Sequence, residues 1–337
     1  MFEPLSASNL SYRIVTRPSK PLKLDVNRIT GIFAGRYSSS VNCDGVIGDF
    51  RQSYITGDCY LLSSLYSLSK TEKGAEILKN NIKKEKNGSY TVTLPGALII
   101  KKDYAKMNKK CCITGRYTIT ASELSKAVKN ANYANGDADV VLYELAFEKY
   151  RKEVMETNKL NHQNSHYGNA GQYTGNATGS HPLNGGIGHD AIFVLTGKQS
   201  VNYEISSSSV AAIDTQHIKT VHSASTINRK SLERLLNKIE KNPGRYSGTF
   251  SIKLKENGQI TGYHAVSISK IKNGRVYFVN PWNSKKEFSL SKQEFLRAAY
   301  QVNIVDMEES GLMENLSDYA YNIYDNFVSS LENLFRK

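Results

Sequence analysis

The hydrophobic period of the chain changes midway, and this switch limits the folds open to it. Up to about residue 198, apolar residues recur mostly at helical spacing; beyond it they alternate, or run in short blocks divided by turn residues. Leu61, Leu62, Leu65 and Leu68 predict a helix over 59–69 with one stripe facing a core, and a second helix covers 72–80. DADVVLYELAFEKYRKEVME predicts a long amphipathic helix: Val141, Leu145, Glu148 and Lys152 mark successive turns, and Leu142, Ala146 and Tyr150 extend the apolar side. SELSKAVKNA is helical, with Ser122 as its predicted cap. GSYTVTLPG and RYTIT alternate and predict strands. Residues 201–225 hold short β-like pieces. The helix RKSLERLLNKIEK then stops at Pro243-Gly244. YSGTFSIKL, GYHAVSISKI, GRVYFVNPW, KEFSLS and AYQVNIVDM follow as strands, with hairpin turns at Asn257-Gly258 and Asn273-Gly274. The expected class is α+β, a helical lobe followed by an antiparallel β lobe.

The predicted divisions are 1–35, an N-terminal extension containing Pro4, Pro18 and Pro21; 36–198, the helical lobe; 199–305, the β lobe; and 306–337, an amphipathic helix packed on the body. Residues 158–188 are rich in Asn, Gly and His without a period and predict a long loop. No apolar run reaches the ~18 residues of a transmembrane helix. The first residues lack the basic start and apolar stretch of a secretory signal, which leaves the cytoplasm or export by another route. The net charge is +13, from 44 Lys and Arg against 31 Asp and Glu, but the lysines are scattered. With no arginine-rich helix and no aromatic RNA-reading signature, the charge reads as a solvated surface and no nucleic-acid partner is expected.

Four cysteines occur, Cys43, Cys59, Cys111 and Cys112, with no C-x-x-C pair. That pattern makes neither a disulfide framework nor a zinc site. Three read as small buried hydrophobes; Cys59 stands apart, because Gly57-Asp58-Cys59 opens a helix. A thiol becomes a good nucleophile on losing its proton, and a helix N-terminus and a nearby imidazolium both favour the anion. Gly57 would let the backbone turn and leave room for a substrate. Asp58 would pin this loop or cap the helix. The nucleophile needs a base and the base an orienting acceptor. His264 lies in one predicted strand, Asn280 follows the next, and the Asn273-Gly274 turn would bring them together, with Trp282 covering their hydrogen bond. The other histidines carry less. His162 and His166 sit among helix-breaking Gly and Asn, so their spacing gives no metal site. His181, His189 and Asp190 lie with Gly185, Gly186 and Gly188 in a segment predicted to shape a turn near the cleft, and His217 and His222 read as surface residues.

These motifs together resemble the calpain-type, papain-like cysteine proteases. GDCYLLSSL is similar to their Gly-Asp-Cys-Trp motif, HAVSI to their His-Ala-x-Ser-Val, and VNPWN to their Asn-Pro-Trp-Gly. The long helix and GGIGHDAIFVLTGK are similar to the segment joining the two lobes, so the resemblance runs from about Gln52 to about Tyr300. It implies a two-lobed papain-like fold and a cysteine endopeptidase making limited cuts in polypeptides, with Cys59 as nucleophile, His264 as base and Asn280 as orienting residue. Gln52 would be the oxyanion donor, although it lies seven positions before Cys59, one further than the family pattern. Either the loop carries an extra residue or Ser53 takes that place. Tyr60 stands where the family has Trp, and Asn283 where it has Gly. No EF-hand pattern and none of the acidic calcium-binding clusters of the animal enzymes are evident, so no cofactor and no calcium control are expected. Two other readings stay open: a transglutaminase-like or deamidating acyl transferase on the same triad, and a catalytically impaired binding module.

Overall fold

The computed structural model describes residues 43–161, 181–205, 210–214, 223–227, 229–256 and 259–308, with two short strands, β1 (Tyr12–Ile14) and β2 (Leu22–Leu24). Most of the predicted N-terminal extension, residues 162–180 of the long loop, His162, His166, His217, His222, the Asn257-Gly258 turn and all but the first residues of the predicted C-terminal helix lie outside the described residues.

The class is α+β with antiparallel sheets. The order begins with β3 (Phe50–Arg51), α1 (Cys59–Ser69), α2 (Glu72–Asn81), β4 (Ile82–Lys84), β5 (Tyr90–Thr93), α3 (Pro95–Lys106) and β6 (Arg116–Ile119). It continues through α4 (Ala121–Ala127), β7 (Asn135–Gly136), α5 (Ala138–Leu160) and α6 (Gly188–Thr196). The sheet-forming half holds β8 (Val201–Ile205), β9 (Val210–Asp214), β10 (Ser223–Ile227), α7 (Arg229–Lys241), β11 (Tyr246–Glu256) and β12 (Gln259–Lys272). It ends with β13 (Arg275–Val279), β14 (Glu287–Ser291), α8 (Lys292–Ala298) and β15 (Ala299–Asp306). Eight of these strands form one antiparallel sheet in the order β10-β9-β8-β15-β11-β12-β13-β14. Its strands β12 and β13 meet at the predicted Asn273-Gly274 turn, where Asn273 and Gly274 both take positive φ.

Several elements differ from the sequence expectation for local reasons. The cap of α4 is Thr120, not Ser122: the Thr120 hydroxyl accepts from Glu123 N–H while the Glu123 carboxylate accepts from Thr120 N–H, a reciprocal box that fixes the start earlier. Helix α3 was not predicted. It begins at Pro95, a residue that breaks helix interiors but suits the first turn, where its missing N–H costs nothing. Short α8 also went unpredicted and is started by a Ser291–Glu294 capping box.

Two apolar clusters form. One gathers Leu61, Leu62, Leu65 and Leu68 of α1 with α3, α5 and α6; the other packs α7 and α8 against the large sheet around Phe250, Phe278 and Phe295. Helix α1 lies between them and presents serines to the sheet. Ser63 Oγ donates to Ala265 O (2.9 Å) and Ser67 Oγ to Ile268 O (3.0 Å), both on β12. Ser67 Oγ also accepts from Gly248 N–H (2.6 Å). Small hydroxylated residues let helix and strand approach closely and satisfy backbone groups at the seam. This seam sets the position of Cys59 relative to His264. Among the described residues, no helix is long and apolar enough to cross a membrane.

Candidate active site

Three segments meet where α1 begins. The first is the loop 52–58 that leads into Cys59. The second is β12, carrying His264 and Ala265. The third is the turn after β13, Asn280 to Ser284. Backbone bonds tie the first to the third: Gln52 N–H donates to Pro281 O (2.8 Å) and Ser284 N–H to Phe50 O (3.1 Å), while Phe50 N–H donates to Ser284 Oγ (2.8 Å).

Cys59, His264, Asn280 and Trp282 come together here. Ala265 N–H points at Cys59 Sγ at 3.4 Å, which sets the sulfur beside the backbone of the residue after His264. His264 Nε2 lies 2.9 Å from Asn280 Oδ1. The same Oδ1 accepts from Trp282 N–H at 3.0 Å. A backbone N–H can only donate, so it fixes which end of the Asn280 amide is oxygen. Nε2 must then carry the imidazole proton, and Nδ1 is left as the basic nitrogen. The indole of Trp282 stacks on the imidazole, centroids 4.2 Å apart and planes 25° from parallel.

Burial governs the protonation of Cys59 and His264. It draws the His264 pKa down from 6.5 to about 4, with the Asn280 hydrogen bond pulling the other way. It pushes the Cys59 thiol up to about 11; the Ala265 N–H opposes this and the negative Asp58 adds to it. Desolvation therefore works against charge on both groups and opposes the help that the helix N-terminus gives a thiolate.

Gln52 is buried, its Nε2 donating to Thr56 O at 2.9 Å. Ser53, the alternative, has its hydroxyl committed: it donates to Ala131 O (2.5 Å) and accepts from Ile55 N–H (2.9 Å). Gly57 has an ordinary φ, and a Cβ built on it meets nothing closer than 3.7 Å, so its backbone makes no demand for glycine. Its role is contact: its N–H donates to Asn184 Oδ1 (2.7 Å) and its carbonyl accepts from Gly185 N–H (2.8 Å). Asp58 is the N-cap residue of α1 by backbone, yet its side chain makes no cap bond and is fully buried. The carboxyl points into the protein instead, towards Glu144 of α5.

Residues the sequence reading passed over complete the surroundings. Arg151 of α5, fully buried, donates through Nη1 to the Tyr60 hydroxyl and to Gly185 O (2.7 Å), so α5 holds both helix α1 and the 181–187 turn. Gly185 is at φ +65°, and a Cβ on Gly186 would lie 2.5 Å from the Tyr60 ring. His189 is buried beside Ser200, its Nδ1 2.8 Å from Ser200 Oγ, and His181 lies 3.6 Å from Glu148. The signal for Arg151 and Glu144 was present as ionisable residues seven apart on one helix, within a stretch that is buried almost all round. Among the described residues, no group of three or more His, Cys, Asp or Glu side chains could hold a metal ion. No protein-family model matches this chain, and no curated protein matches it.

Proposed function

We propose that the protein is a cysteine endopeptidase of papain-like, calpain-type architecture, with Cys59 as nucleophile, His264 as base and Asn280 as orienting residue. The observation that carries this reading is the Asn280 amide. Its oxygen is oriented by Trp282 N–H and holds His264 Nε2–H, which turns the basic Nδ1 to the other side of a ring that Trp282 covers. A merely structural histidine has no need of an acceptor locked in this way, one residue before the backbone N–H that meets a cysteine sulfur.

The chemistry starts from the neutral pair. As Cys59 Sγ attacks a peptide carbonyl, its proton passes to His264 Nδ1, and the imidazolium is stabilised by Asn280. Nδ1–H then protonates the leaving amine, the C–N bond breaks, and a thioester forms. Water, deprotonated by His264, attacks the thioester and regenerates the thiol. The Cys59 backbone N–H is the first oxyanion donor; Gln52 would supply the second by turning its amide away from Thr56 O and the Asp58 carboxyl, which it now faces. Substrates are extended polypeptides crossing the junction of α1 and β12.

The test is labelling with an epoxide-type inhibitor of cysteine proteases, followed by peptide mapping, on wild type, Cys59→Ala and His264→Ala, with and without calcium. Selective labelling of Cys59 over Cys43, Cys111 and Cys112, lost in His264→Ala, supports the reading. Labelling without preference for Cys59 overturns it. Mass spectrometry of a protein substrate then separates the reactions: a protease splits the chain, a deamidase alters mass without cleavage, and a transglutaminase joins chains.

A further inference from the structure

Asp58 stands next to the nucleophile with a carboxyl that lacks an ordinary partner. The residue is fully buried, and its backbone carbonyl accepts from Leu61 N–H (2.9 Å) and Leu62 N–H (3.1 Å) to open α1. Neither carboxyl oxygen meets an N–H or O–H donor in full hydrogen-bond geometry among the described residues, although the Gln52 amide and the Asp58 N–H both favour its anion. What it faces is the carboxyl of Glu144, equally buried on α5. Glu144 is held in place by Ala134 N–H, which reaches its two oxygens at 3.0 and 2.9 Å.

Two ionised carboxylates facing each other away from water repel strongly. One proton between them converts that repulsion into a charge-assisted O–H···O⁻ bond and supplies the missing donor. Each carboxyl has a neighbour that favours its anion, so the proton belongs to the pair rather than to one residue. The Gln52 amide favours the anion on Asp58, the Ala134 N–H favours it on Glu144, and the negative Asp58 and Glu148 oppose ionisation of Glu144. Other charged groups nearby are engaged elsewhere. Glu148 accepts from Lys152 Nζ (2.6 Å) and the Tyr133 hydroxyl (2.6 Å), with His181 at 3.6 Å, and Arg151 donates to Tyr60 and Gly185. Cys59, the next residue, feels the negative charge of Asp58.

We propose that Asp58 and Glu144 form a one-proton carboxyl pair that positions Cys59, and that loss of the shared proton releases the start of α1 from α5. Burial and mutual repulsion hold both groups above the usual carboxylate range, so the pair keeps its proton at pH values where isolated carboxyls are ionised. Its positioning role rests on Cys59 being the nucleophile; the shared proton does not.

The experiment uses the full chain as wild type, Glu144→Gln and Glu144→Leu. Infrared difference spectra at neutral pH read the proton directly: wild type minus Glu144→Gln shows the carbonyl band of a protonated carboxylic acid, because the raised Asp139 carboxyl is common to both and subtracts out. The rate of Cys59 labelling by the epoxide is then followed against pH. Glu144→Leu leaves Asp58 without a donor and labels about 10–100-fold more slowly, the effect of displacing a reacting group by about 1 Å. Glu144→Gln gives Asp58 a permanent N–H donor. It recovers most of that loss, and its rate relative to wild type climbs as pH rises, because it has no proton to lose. If Glu144→Gln does not fold, Asp58→Asn replaces it: it keeps a bond to protonated Glu144, removes the anion and moves the onset of labelling to lower pH. Absence of the band from the difference spectrum overturns the shared proton. A pH profile of labelling identical in wild type and Glu144→Gln overturns the positioning role. A wild-type Cys59 unreactive at every pH overturns the protease reading instead, and the infrared band still decides the pair.

Discussion

Replacing Asn280 by Asp tests the proposed orientation of His264. The side chains are nearly isosteric, so the introduced carboxylate keeps both acceptor bonds, from Trp282 N–H and His264 Nε2–H, and adds a negative charge at about the same 2.9 Å. In the wild type, burial draws the His264 pKa from 6.5 to about 4. A contacting opposite charge raises such a pKa by roughly 1–3 pH units, which carries His264 to roughly 5–7. The sign for stability follows. A histidine whose folded pKa lies below its unfolded value binds its proton more readily in the unfolded chain. The stability is complete above pH 6.5 and is lost as pH falls towards 4. Between pH 7 and pH 5 this costs the wild type about 2 kcal/mol, at about 1.4 kcal/mol for each pH unit. In Asn280→Asp the same fall shrinks by about 1 kcal/mol. The other buried carboxyls contribute equally to both proteins and cancel in the comparison. Urea unfolding of the two proteins at pH 7 and pH 5 measures the difference, and NMR titration of the imidazole measures its cause. An imidazole in Asn280→Asp that titrates where the wild type does, or an equal fall in stability, would refute both the Asn280–His264 contact and the reasoning from burial.

Three further outcomes follow from the packing around the site. Ser67→Ala removes a hydroxyl that donates to Ile268 O and accepts from Gly248 N–H, leaving a buried N–H without a partner; urea unfolding is expected to show a loss of about 2 kcal/mol. Gly186→Ala puts a methyl 2.5 Å from the Tyr60 ring, whose hydroxyl is held by Arg151, so the crowding costs about 1–3 kcal/mol by thermal melting, whereas Gly57→Ala, with nothing closer than 3.7 Å, leaves the melting temperature unchanged. Arg151→Met deprives the Tyr60 hydroxyl and Gly185 carbonyl of their donor; it is expected to lower stability by about 2–3 kcal/mol and to speed proteolytic cutting between residues 181 and 187.

Much of the architecture was legible because patterning over long segments reports burial. The four leucines of α1 lie in the core they predicted, and the antiparallel strands from β11 to β15 follow the alternating blocks. Boundaries set by single side chains were less legible. Ser122 looked like a cap because it begins the helical pattern, but the Thr120–Glu123 box is reciprocal and wins. Pro95-Gly96 was read as the end of the strand GSYTVTLPG, while the chain uses it to start α3. The site divides in the same way. His264, Asn280 and Trp282 could be grouped because a two-residue turn joins their strands. Glu144 and Arg151 could not, because nothing within α5 tells which distant loop a buried polar residue meets. The expected thiolate depended on a balance of burial against the helix terminus, and residue order does not fix such a balance.

That balance also explains why the start of α1 is held from so many sides. A helix N-terminus beside a cysteine favours the thiolate, but Cys59 sits next to a buried negative carboxyl and in surroundings that penalise charge. Reactivity then has to come from geometry, with the sulfur and the imidazole placed so that proton transfer accompanies attack. Four sets of contacts do that placing. Ser63 and Ser67 fasten α1 to the strand of His264; Pro281 O receives Gln52 N–H from the nucleophile loop. Asn184 and Gly185 clamp Gly57, and Glu144 faces Asp58 from α5. None of these groups touches the reacting atoms, yet each crosses from one chain segment to another at the seam. Substitutions at the seam should therefore lower the labelling rate of Cys59 before they unfold the protein, whereas substitutions in the Phe250–Phe278–Phe295 cluster should lower stability first. Labelling rate and urea midpoint measured on the same samples separate the two, and loss of both in parallel at Ser63 or Gly57 would mean that the seam only holds the fold together.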